Sequence, residues 1–144
     1  MRNKVVFIIL LFGFLVFHGC KYLSEENVTI SGTFTNLPDS KLLLYQILPN
    51  SKPLIDSVST DAEGEFSISL AVEKAGYYTL KSTSTDEITL VLAPGENVTL
   101  TGDGKSLRNT YTVAGSKDSE LLALFNQFTM ANLRQVDSLS HVFT

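Results

Sequence analysis

The sequence predicts an all-β protein: an antiparallel β-sandwich of about 7–8 short strands, with an N-terminal signal segment and a C-terminal α-helix. Three observations carry that prediction. Between Val28 and Val113, short β-prone runs alternate apolar and polar side chains with a period of two, the mark of half-buried strands. Clusters of Gly, Pro, Asn, Asp and Ser punctuate these runs at regular spacing, which favours a sandwich over βαβ units. After Gly115 the apolar spacing becomes helical.

The first segment, residues 1–19, reads as a lipoprotein signal peptide. Arg2 and Lys4 precede an apolar run from Val5 to Phe17, which ends at His18-Gly19-Cys20. Thirteen residues make about 20 Å of helix, against roughly 30 Å for a bilayer core, so the run suits a signal h-region better than a span. Cys20 is the only cysteine, and an unpaired thiol in an oxidising compartment is a liability unless it is used. Lipidation of Cys20 is therefore expected, with two acyl chains on one residue giving the stable anchor that a single chain does not. Phe17 and His18 are larger than such a cleavage site usually takes, while Gly19 fits. Residues 20–27 then form the lipidated cysteine and a short polar tether, which keeps the folded part close to the bilayer.

The sandwich is expected over residues 28–115. Val28, Ile30 and Phe34 share one parity and open the first strand; Asn36 to Ser40 ends it. Lys41 to Ile47 and Leu54 to Thr60 follow, with Pro53 tolerated at a strand start. Asp61-Ala62-Glu63-Gly64 reads as a hairpin turn, Gly64 being free to take positive φ. Phe66, Ile68 and Leu70 alternate inward in the next strand. Tyr77 to Ser82, Glu87 to Leu92 and Asn97 to Thr101 come next, the last two joined by Ala93-Pro94-Gly95-Glu96, the chemistry of a type II turn. A final strand is expected at Thr110 to Val113. Residues 116–144 form an amphipathic helix, a linker or docking element that stops before any C-cap signal. Ser116 is its N-cap, and Asp118 and Glu120 favour its positive end. Leu121, Leu122, Phe125, Phe128, Val136, Leu139 and Phe143 fall on one side, interrupted by Thr129 and Asn132. Two readings of that side stand open: it packs on its own sandwich, or its partner surface lies elsewhere.

Composition excludes some roles. The chain has 15 acidic and 11 basic residues; without Arg2 and Lys4, nine basic residues remain against fifteen acidic, a net charge near −6. No Lys/Arg cluster appears, so nucleic acid is not an expected partner. The same charge repels anionic headgroups, so membrane contact is expected through the lipid on Cys20 alone.

Tests for chemistry fail one by one. Gly104-Lys105-Ser106 matches the tail of a phosphate loop, but Thr99 stands where the first glycine belongs, and Leu107-Arg108-Asn109 is expected to lead into another strand where such a loop needs a helix. Asp61 to Gly64 lacks the alternating ligands of a calcium loop. His141 has no Cys, Asp or Glu at ligand spacing, and Gly115-Ser116 lacks the frame of a nucleophile elbow. No Cys-x-x-Cys exists in the chain. No catalytic, metal or cofactor residue is expected, and the chain reads as non-catalytic. Asp56-Ser57-Val58 and Asp137-Ser138-Leu139 match a short envelope O-glycosylation pattern. Tyr45, Tyr77, Tyr78 and Tyr111 offer a surface glycan- or peptide-binding alternative, if exposed.

Several stretches together carry a family likeness: Gly32-Thr33-Phe34, Leu54 to Val58, Asp61 to Phe66, Gly76-Tyr77-Tyr78, Leu92 to Val98 and Val113 to Leu121. In this order they resemble the β-sandwich domain of unknown function found at the N-terminus of Gram-negative envelope lipoproteins. In those proteins the domain usually precedes a thioredoxin-like domain of the AhpC/TSA thiol-disulfide oxidoreductase type. The resemblance implies a lipid-anchored module at the outer membrane, on its periplasmic face or at the cell surface. It also implies a thioredoxin-like partner through the 116–144 helix. The alternative it implies is the N-terminal part of an envelope oxidoreductase whose redox domain is absent from this chain. No catalytic residue of the family has a counterpart here.

Overall fold

A computed structural model of the protein describes residues 26–82 and 86–140, with side-chain detail as far as Leu133. The expected signal segment, Cys20, His141 and the last helical apolar positions named above lie outside that detail. Eight strands form two four-stranded sheets. They are β1 (Glu26–Thr35), β2 (Lys41–Ile47), β3 (Leu54–Ser59), β4 (Glu65–Val72), β5 (Gly76–Ser82), β6 (Glu87–Leu92), β7 (Asn97–Asp103) and β8 (Thr112–Ala114). A one-turn helix α1 (Leu107–Thr110) separates β7 from β8, and helix α2 (Lys117–Ser140) follows. The first sheet runs β4-β1-β7-β8 and the second β3-β2-β5-β6.

The sandwich of short strands with a C-terminal helix is as the sequence predicts. Alternation does its expected work: in β4 every second residue, Phe66, Ile68, Leu70 and Val72, is buried. These side chains meet Leu42, Leu44, Tyr78, Leu80, Ile88 and Leu90 of the second sheet in one core. Phe34 and Phe66 stack at 4.9 Å between ring centroids. Gly64 and Gly95 hold φ of 83° and 78°, as their turns require.

Three details depart from the sequence reading. β1 and β7 pair in parallel, with Ile30 opposite Val98 and Gly32 opposite Leu100, so the first sheet is mixed. Asp61 to Gly64 is not a hairpin turn, because β3 and β4 belong to different sheets. It is an arch between layers, locked by the Asp61 carboxylate, which accepts the amides of Glu63 (3.0 Å) and Glu65 (2.7 Å). The last strand starts two residues late, since Leu107 to Thr110 winds into α1 and buries Leu107 and Tyr111 as a plug.

Strand directions define two ends. Glu26, Ile47, Leu54, Val72, Gly76, Leu92, Asn97 and Ala114 all lie at one of them, here called the tether end because the chain from Cys20 enters there. α2 starts at this end, beside β6 and β8, and runs toward the other.

Candidate docking groove

β6 is an edge strand, and such an edge exposes backbone donors and acceptors unless something covers it. Here α2 covers it with two serines. The Val91 amide donates to Ser119 Oγ at 2.9 Å, and the Val91 carbonyl accepts from Ser119 Oγ (2.7 Å) and Ser116 Oγ (3.0 Å). Ser116 also accepts the Ser119 amide at 3.4 Å, so the predicted N-cap doubles as a clasp. Further along, Gln127 donates to the Tyr111 carbonyl (2.9 Å) and Asn126 to the Tyr111 hydroxyl (3.3 Å).

The face that α2 turns to the sandwich is thus small and polar: Ser119 and Ala123 are buried, Leu122, Asn126 and Met130 partly so. Its large apolar side chains point the other way. Leu121, Leu124, Phe125 and Phe128 are between 62% and 68% exposed. Of the two readings left open by the sequence, packing of the whole apolar side on the sandwich does not occur for these residues. Among the described residues of the predicted stripe, only Leu122 turns partly inward.

Beside this stripe, the outer face of the second sheet continues the apolar surface. Ile47 stands opposite Tyr77, and Tyr77 opposite Val91, so the three form a row across β2, β5 and β6. The row ends in a groove of about 580 Å³ lined by Tyr77, Val91, Asp118, Leu121, Leu122 and Phe125. Asp118 is the one charge in that lining. Such a surface can bind an apolar partner face.

The tyrosine platform is not assembled. Tyr78 and Tyr111 are buried and Tyr45 is half-buried, leaving only Tyr77 of the four exposed. Burial pushes the Tyr78 hydroxyl above its ordinary pKa, as expected for a phenol that loses water. Gly104-Lys105-Ser106 is a surface turn, its Lys105 amide donating to Asp103 Oδ1 at 3.0 Å. That bond, with one from Asn36, holds the Asp103 carboxyl below its ordinary pKa. Among the described residues no three His, Cys, Asp or Glu side chains group as a metal site would need. No described helix is long and apolar enough to cross a membrane. Asp56 and Ser57 are exposed and Val58 is packed against the core, while Cys20 lies outside the described residues.

Known proteins give this likeness a partial frame. Residues 28–122 match the family model of a domain of unknown function, DUF4369. No curated protein matches the chain significantly. Solved structures with a similar arrangement include an (S)-allantoin synthase, 15% identical with a TM-score of 0.42, covering 65% of this chain and 45% of that one. A 5-hydroxyisourate hydrolase from Klebsiella pneumoniae is 13% identical with a TM-score of 0.38, covering 64% of this chain and 94% of the hydrolase. The chain therefore spans less than half of the synthase, and neither likeness bears on activity.

Proposed function

The chain belongs to the DUF4369 family, and on that premise we propose that it is a non-catalytic accessory module of the cell envelope. It is held to a membrane by lipid on Cys20 and docks a thioredoxin-like protein on the outward face of α2. The observation that carries the reading is the orientation of that helix. Ser116 and Ser119 fix its inner face to β6, and Leu121, Leu124, Phe125 and Phe128 are left turned to solvent. Monomeric proteins rarely leave a contiguous stripe of that kind without a partner. The class of partner comes from the resemblance to domains that precede thioredoxin-like domains. The docking face is the same whether the thioredoxin fold is a separate protein or is carried on a longer polypeptide.

The test removes the apolar stripe while sparing the fold. Phe125→Asp with Phe128→Asp changes two exposed side chains, so stability is expected to move by no more than about 0.5 kcal/mol. In a pull-down from native envelope, the unaltered chain is expected to recover a thioredoxin-fold protein that the double variant loses. Equal recovery by both would contradict the reading.

A further inference from the structure

The β2–β3 connection at the tether end is unusual for a surface turn. Loops at such positions are ordinarily polar, and edge strands are ordinarily guarded by charge. Between Ile47 and Ile55 the chain carries Ile47, Leu48, Pro49, Pro53, Leu54 and Ile55, all exposed, with a single charged residue, Lys52. The four large aliphatic side chains are between 39% and 53% exposed. Two backbone hydrogen bonds close the tip: Leu48 donates to the Ser51 carbonyl at 2.9 Å and Gln46 to the Pro53 carbonyl at 3.0 Å. Lys52 does not point outward with the apolar residues. Its Nζ folds back over the Tyr45 ring, 5.6 Å from the centroid, and meets Glu87 Oε2 at 3.2 Å. The one charge of the tip is thereby paired on the sheet, and the tip presents an uncharged surface that is apolar except for Asn50 and Ser51 at its apex. Tyr77, itself exposed, stands beside it opposite Ile47.

The position of this tip says what it faces. Ile47 and Leu54 lie at the same end of the sandwich as Glu26. From Glu26 back to Cys20 are six residues, a reach of roughly 20 Å even when extended. Acyl chains on Cys20 would therefore hold the tether end nearest the lipid. Lys74 and Lys117 at this end are outnumbered by Glu26, Glu73, Glu96 and Asp118, so the fitting surface is zwitterionic rather than anionic phospholipid.

We propose that the β2–β3 tip, led by Leu48 and Leu54 with Tyr77 at the interface, inserts into the headgroup layer of a zwitterionic membrane. The inference rests on the membrane-anchored part of the functional reading and goes beyond it: the tip is a second membrane contact that fixes which end of the sandwich faces lipid. Aromatic and aliphatic side chains at that depth match the composition of interfacial elements. With the tip seated, α2 runs away from the membrane and its outward stripe stays open to a protein partner.

The test uses the lone cysteine. The chain from Cys20, which contains every described element, is coupled through its thiol to maleimide-headgroup lipid in phosphatidylcholine vesicles. The protein has no tryptophan, so Leu48→Trp gives a single reporter at the tip and Ser59→Trp one at the far end. The Leu48→Trp emission is expected to shift to the blue and to be quenched about two-fold by lipids brominated at the roughly 5–10 Å depth that interfacial elements reach. Ser59→Trp should respond to neither. A Leu48→Trp emission indifferent to brominated lipid overturns the proposal. A blue shift without quenching, growing with protein density, overturns it too, because the tip is then covered by a second copy of the chain. Chemical coupling makes these results independent of acylation in the cell; labelling Cys20 with a clickable fatty acid tests that reading separately.

Discussion

Gly32→Val is expected to destabilise the sandwich by about 3 kcal/mol or more, a large share of the roughly 5–15 kcal/mol that holds a domain folded. A Cβ at Gly32 would lie 1.9 Å from the Leu100 carbonyl oxygen and 2.7 Å from its carbon. Those are backbone atoms of β7, so no side chain can swing aside to make room. Gly32 pairs with both Leu100 and Phe66, at the centre of the first sheet. Relief would require β1 and β7 to separate, and with them the only parallel pairing among the described strands. Ile30, Phe34, Val98 and Leu100, all buried, would lose their register together. Gly76→Ala is the matched control, since its nearest neighbour would be 3.5 Å away on the Tyr78 side chain. Urea unfolding followed by circular dichroism should give a much lower midpoint for Gly32→Val and a nearly unchanged one for Gly76→Ala. Equal midpoints would mean that the close approach of β1 to β7 does not hold the sheet.

The second large effect is expected at the clasp between α2 and β6. Ser116→Ala with Ser119→Ala removes every side-chain partner of the Val91 amide and carbonyl. Each orphaned backbone group costs about 1–3 kcal/mol where water cannot replace the serine, and less where it can. The loss should be local, because the helix and not the sandwich depends on these bonds. Hydrogen exchange distinguishes the two. The Val91 amide should lose its protection, while Leu90 and Leu92, whose amides face β5, keep theirs. Lys117→Ala, on the exposed side between the two serines, should leave Val91 protected. Loss of protection across all of β6 would instead make the clasp part of the sandwich's own stability.

Much of this architecture is legible in the chain because period two and turn chemistry are local properties. The alternation Phe66, Ile68, Leu70 marks β4 without reference to any neighbour, and Pro94-Gly95 marks its turn in the same way. Partner choice is not local. Nothing in Val28 to Thr35 states that β1 will lie beside β7 in parallel; only the close approach at Gly32 hints at it, and a glycine in a strand has several uses. Asp61 to Gly64 carries identical turn residues whether it joins paired strands or arches between sheets.

The helix is the instructive case. Its spacing gives a correct element and a correct cap, and the apolar side is what a core-facing helix would carry. Yet Ser116 and Ser119 win the inner position, because two hydroxyls satisfy an open strand edge that leucine and phenylalanine cannot. The signal for this was present: small and polar residues at Ser116, Ser119 and Ala123 fall on one line of the helix. That line becomes meaningful only once an unpaired strand edge is known to lie opposite. The same dependence hid the exposed apolar β2–β3 tip, where Ile47 read only as the end of a strand and Leu48 stood between strand and turn.

The proposed docking of a thioredoxin-like protein on the outward face of α2 can be captured by site-specific photo-crosslinking in the native envelope, with benzoylphenylalanine placed at Phe125 and, as the reference, at Ser59. An adduct with a thioredoxin-fold protein is expected from Phe125 and none from Ser59. Adducts from Phe125 that contain only lipid, only a second copy of this chain, or no thioredoxin-fold protein would contradict it.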